Sequence, residues 1–113
     1  MVSVETVKEL ALSFEETIAE PHFDKTAFKV RKKIFATLDV DKKQVVLKLS
    51  RVDQSVFAAF DHTIIYPVPG GWGAKGWTII ELRRVRKNMF VDALTTAYCG
   101  VAPKKFAEKY RTA

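Results

Sequence analysis

The chain has 113 residues, enough for one domain that buries its own core without staples. A single cysteine, Cys99, rules out an internal disulfide framework, and no apolar run approaches the ~18 residues a membrane helix needs. The net charge of +6 is uneven: residues 1–24 hold one basic and six acidic side chains, net −5, and residues 25–113 carry +11. A basic body with an acidic cap attracts polyanions from one side. The first residues lack the basic-then-apolar pattern of a leader, so the expected location is the cytoplasm.

Ser3 to Ala11 reads as a helix with Ser3 as N-cap and Val4, Val7, Leu10, Ala11 and Phe14 on one face. A turn over residues 13–16 leads to a short extended segment, Thr17 to Glu20, that Pro21 ends. The stretch from His22 to Leu38, HFDKTAFKVRKKIFATL, reads as two strands near 26–31 and 33–39. Phe28 and Val30 alternate with Lys29, and Ile34, Ala36 and Leu38 alternate with Phe35 and Thr37, the period of two of a half-buried strand. The polar turn DVDKK (39–43) follows, then a third strand from Gln44 to Ser50 with Val45, Leu47 and Leu49 on one side. Three strands joined by short turns make an antiparallel meander with one wet face and one face covered by helices.

Val52 to Asp61 reads as a second helix whose apolar face joins Val52, Val56, Ala59 and Phe60. Ile64 to Val68 is a short apolar run closed by prolines. The segment GGWGAKGW then reads as a loop on its glycine density, and Trp77 to Leu82 as a strand. The basic bridge RRVRK (83–87) precedes the best helix, Asn88 to Ala97, with Gly100 as its C-terminal stop. Pro103 opens a terminal helix with Phe106, Ala107 and Tyr110 inward and Lys104, Lys105, Lys109 and Arg111 outward. No repeat, linker or low-complexity segment divides residues 1–113, so a single domain is expected.

HFDKTAFKVRKKIFATL, the strand VVLKL, the segment GWGAKGW and a closing helix with a Tyr followed by PKK, in this order and spacing, resemble the MmcQ/YjbR family of small bacterial proteins. The family pattern often has Gly between His22 and Lys25 and near the next turn, where this chain has Asp24 and Arg31-Lys32-Lys33. The resemblance implies an α+β fold, an antiparallel sheet flanked by helices. It also implies DNA binding, a label that members carry because their fold looks like a double-wing DNA-binding domain; fold alone does not assign function.

Two basic groups are candidate DNA contacts: Arg31, Lys32 and Lys33 at a hairpin tip with Lys29 beside it, and Arg83, Arg84, Arg86 and Lys87 before the long helix. Each reads equally as a solvated charged surface, and lysines also protect sheet edges. GGWGAKGW lacks the spacing of a phosphate loop, but Lys75 adds a cation. Trp72 is a candidate for stacking on bases or closing a pocket, against the plainer reading of a core lid, and Trp77 is expected in the core. His22 and His62 are the only histidines and no four-ligand spacing is visible, so no metal, cofactor or catalytic group is expected. His22 with Asp24 is the nearest thing to an acid–base pair, and Cys99 reads as a buried small residue. The expectation is therefore a monomeric, cytoplasmic, non-enzymatic DNA-binding module of low sequence specificity, with no membrane contact. The alternative is a protein- or small-ligand-binding adaptor with a pocket under Trp72.

Overall fold

The structure, a computed structural model, describes residues 1–111. Its elements in chain order are α1 (Val4–Ser13), β1 (Thr17–His22), β2 (Lys25–Val30), β3 (Lys33–Asp39), β4 (Gln44–Lys48), α2 (Arg51–Phe60), β5 (Ile65–Pro67), α3 (Gly71–Ala74), β6 (Trp77–Glu81), α4 (Lys87–Val101) and α5 (Lys104–Ala107). The strands form one six-stranded sheet in the order β1-β2-β3-β4-β6-β5, with every neighbouring pair antiparallel. This is the expected α+β fold.

One face of the sheet supplies Phe28, Val30, Phe35, Ala36, Leu38, Val45, Leu47 and Ile80 to the core. Against it lie Val4, Val7 and Ala11 of α1 and Phe90, Ala93, Leu94, Ala97 and Tyr98 of α4. Phe14, Phe35, Tyr98 and Tyr110 meet as one aromatic cluster, with Phe14 stacked on Tyr98 at 4.6 Å. The other sheet face has no helix laid across it.

A bulge corrects the alternation expected of β3. Phe28 pairs with Ala36, but the next residue, Lys29, pairs with Ile34, so Phe35 is the extra residue. Phe35 consequently enters the core with Ala36, and Ile34 moves to the open face. β1 runs through Pro21 to His22 instead of stopping at Glu20, which an edge strand tolerates. The third strand ends at Lys48, because Ser50 is used as the N-cap of α2 and accepts from the Asp53 N–H at 3.0 Å.

Helix α2 is rotated from what its apolar spacing suggests. Val52, Val56, Ala59 and Phe60 are exposed, and the inward face joins buried Gln54 to half-buried Phe57, which packs against the core. The Gln54 amide donates to the Gly73 carbonyl at 3.0 Å, the Trp77 carbonyl at 3.2 Å and Thr78 Oγ1 at 3.1 Å. This face of α2 thus combines three hydrogen bonds from a buried amide with the packing of Phe57 on the core. The expected glycine loop is in part the helical turn α3. Helix α4 begins earlier than expected, at Lys87, and runs through Gly100 to Val101; Gly100 is not its stop, and Pro103 ends the run instead.

Candidate functional site

In an antiparallel pair, directly opposed residues point to the same side of the sheet. The register therefore puts His22, Lys25, Lys29, Ile34, Thr37, Val46, Lys48 and Trp77 on the open face. Part of that face forms a trough of about 460 Å³. Ile34, Thr37, Val46 and Trp77 form its floor, Trp72 of α3 and Val68 one wall, and His22, Phe23 and Lys25 the other. Trp77 is thus a half-buried floor residue, not a core residue as its position at a strand start suggested.

The walls are held by unusual backbone. Phe23 and Asp24 are the two central residues of the β1–β2 turn, and Phe23 has φ 59°, in the left-handed region that favours glycine. Its ring is 94% exposed and meets only the His22 ring edge-on, at 5.0 Å between centroids. A bulky residue held in that region stores strain on the order of 1–2 kcal/mol. We therefore expect Phe23→Gly to raise stability by about 0.5–1 kcal/mol, after subtracting glycine's extra freedom when unfolded. Thermal melting reads this as an increase of a few degrees; an unchanged or lower Tm would show that the backbone is relaxed at Phe23 or that the ring's contacts outweigh the strain.

On the opposite wall, Trp72 is 63% exposed, lies edge-on to Trp77 at 6.5 Å, and has the Lys75 ammonium over its ring at 5.6 Å. Two glycines seat this wall. A Cβ on Gly73 would stand 2.0 Å from the Val68 carbonyl oxygen, and one on Gly76 (φ 101°) 1.8 Å from that of Leu49. The Lys48 ammonium donates to the Lys75 carbonyl, and Arg51 Nη1 to the Ala74 carbonyl at 2.9 Å.

The basic residues singled out from the sequence divide into two groups. Arg31, Lys32 and Lys33 lie where β2 ends and β3 begins; β4 ends and β6 begins on the same side, so Lys48 and Lys75 share that end of the sheet. Arg83, Arg84, Arg86 and Lys87 follow the end of β6 and lie at the other end. The two groups do not join end to end along one strand edge.

Nor are all the cations free. Arg31 reaches both carboxylate oxygens of Glu16, at 2.9 and 3.2 Å, and lies 5.1 Å over the Phe106 ring, rather than pointing into water. That hydrogen-bonded pairing holds the Glu16 carboxyl below its ordinary range. Lys29 pairs with Glu20 at 2.7 Å. Lys32 and Lys33 are exposed at the tip and have no ion-pair partner among the described residues. Arg31 (φ 49°) and Lys32 (φ 70°) both adopt the left-handed backbone of a two-residue primed turn, where Asn-Gly is the usual choice.

His22 and Asp24 form no acid–base pair: Asp24 turns toward Lys25, at 3.9 Å, and the His22 ring meets Phe23. Cys99 is half-buried, its Sγ 3.7 Å from the Ala107 carbonyl, and burial pushes its thiol up. Among the described residues no group of three His, Cys, Asp or Glu is placed to hold a metal ion, and no helix is long and apolar enough to cross a membrane. The sequence reading missed Phe23, Lys25, Ile34 and Lys48. A signal for Phe23 was present: an aromatic in a two-residue turn has no strand neighbour to bury it.

The same architecture occurs in the crystal structure of Deinococcus radiodurans protein DR2400, described as a DUF419 domain. The two superpose with a TM-score of 0.80 at 16% identity over 97% of this chain and 88% of that one, a likeness of fold. No curated protein matches the chain. The family model described as YjbR matches residues 12–99, from the end of α1 through the whole sheet to Cys99 in α4, and the chain belongs to the YjbR family.

Proposed function

We propose that the chain is a DNA-binding module with no catalytic step, and that its contact surface is the open sheet face with the adjoining basic strand end. One observation carries this reading: Lys48 on the open face, Lys75 over the Trp72 ring and Lys32 at the hairpin tip gather at the end of the sheet where Trp72 and Trp77 line the trough, whereas Lys33, opposite Val30, lies on the helix-covered side. The acidic Glu5 and Glu9 are exposed on α1, behind the sheet. A polyanion approaching the open face meets cations first and is repelled from the back. Contacts of this kind position a nucleic acid without reading its sequence. Arg83, Arg84, Arg86 and Lys87 are left outside this surface.

The test is a salt series on the intact chain. Replacing Lys32 and Lys75 together by Gln should weaken binding and flatten the plot of log affinity against log salt. The expected change is about 0.7 per lost contact for a single strand and about 0.9 for a duplex. Melting should move little, since exposed charges are worth about 0–1 kcal/mol each. Replacing Arg83 and Arg84 by Gln should leave the slope as it is. Absence of any DNA binding by the wild type at low salt refutes the proposal. The second reading then takes over: an adaptor for an apolar small ligand or peptide, favoured by the largely apolar trough beside Trp72.

A further inference from the structure

We infer that the trough is a binding site for the unpaired bases of single-stranded DNA, with Phe23 and Trp72 as its two stacking rings. This rests on the DNA-binding reading above and specifies the form of the ligand. A duplex offers phosphates and sugars on its outside and keeps the base faces stacked within, so a concave aromatic surface has nothing to receive from it. An unpaired strand exposes both base faces and phosphates, and single-strand sites pair aromatic platforms with a cationic track.

Both halves of that description are on this face. Phe23 gains almost nothing from the protein, being 94% exposed on a left-handed backbone, and such strained, exposed aromatics belong at ligand contacts. Trp72 faces the trough from the other wall, with the Lys75 ammonium over its ring. Lys25 sits on the wall beside Phe23, and Lys48 points to the same face at the opposite end of the sheet, below Trp72 and Lys75. Bases thus have rings and aliphatic floor to lie on while phosphates stay at the lysines.

The chain's two tryptophans both line the trough, so intrinsic fluorescence reports on this site and no other. Four probes of equal length separate the outcomes: oligo(dT), the same deoxyribose-phosphate strand without bases, oligo(rU), and a duplex. Oligo(dT) should quench the tryptophans and bind at least tenfold more tightly than the abasic strand. Phe23→Ala and Trp72→Ala, followed by anisotropy of labelled strands, should each weaken oligo(dT) by about tenfold and leave the abasic strand unchanged, one stacked base being worth ~1–3 kcal/mol. Equal binding of abasic strand and oligo(dT), or tighter binding of duplex, overturns the stacking site but leaves the DNA-binding reading intact. Oligo(rU) as tight as oligo(dT) overturns the choice of DNA. Binding of none of the four removes the DNA-binding reading itself.

Discussion

Gly76→Ala should cost more than about 3 kcal/mol and leave little native protein near the wild-type melting temperature. The reason is steric and local. A methyl group on Gly76 would lie 1.8 Å from the carbonyl oxygen of Leu49 and 3.0 Å from its carbonyl carbon, both backbone atoms that no rotamer change can move. The position also has φ 101°, where an L side chain is strained whatever the space. The Gly76 carbonyl accepts from the Leu49 N–H at 3.0 Å, so the strands cannot separate to admit the methyl without losing that bond. Gly100→Ala is the contrast. It lies inside α4 with nothing within 4 Å of a new Cβ, and should stabilise by roughly 0.5–1 kcal/mol through helix propensity. Urea unfolding of the two variants checks both signs. A Gly76→Ala protein as stable as wild type would mean that β6 and the segment after β4 can part by enough to admit a methyl group.

Tyr98→Ala should cost about 4 kcal/mol, in the range found for emptying an aromatic site in a core. Tyr98 is fully buried, stacks on Phe14, meets Phe35 and Tyr110 edge-on, and donates from its hydroxyl to the Glu15 carbonyl at 2.7 Å. It therefore ties α4 to the turn between α1 and β1, while the Tyr110 hydroxyl holds the same turn by accepting from the Glu15 N–H at 3.0 Å. Tyr98→Phe keeps the rings and loses the hydroxyl, and should cost only about 1 kcal/mol.

The same residue gives an alkaline signature. Burial, its largest cause, pushes the Tyr98 hydroxyl up to about 12, whereas an unfolded tyrosine ionises near 10. Its contribution is complete below about pH 10 and is lost as pH rises toward 12, because the unfolded chain gives up that proton first. Tyr98→Phe should flatten the fall of stability over that window; Tyr66, whose hydroxyl is held up to about 12 by its hydrogen bond to Glu81, retains its own share. Under the DNA-binding proposal, folded Tyr98 variants should keep the wild-type affinity, since the cluster lies on the helix-covered face.

The residue pattern alone was enough for the meander, the single wet face, the helix after Ser3 and the long helix before Pro103. Each depends on short-range information: a period of two or 3.6, a cap, or a proline. The family was legible from the order of several short segments. What covers each face was not. Val52, Val56 and Phe60 have helical spacing, yet they face solvent because the buried amide of Gln54 and the Phe57 ring hold the other side of the helix inward. Alternation in β3 is regular on paper, but one bulged residue sends Phe35 into the core and Ile34 into the trough. Arg31 reads as a free cation until Glu16, fifteen residues earlier, is brought beside it. The trough itself joins a turn at Phe23 to a short helix at Trp72 across four strands. Local propensity acts over a few residues, whereas these placements depend on partners that only the closed sheet brings within hydrogen-bonding or van der Waals reach.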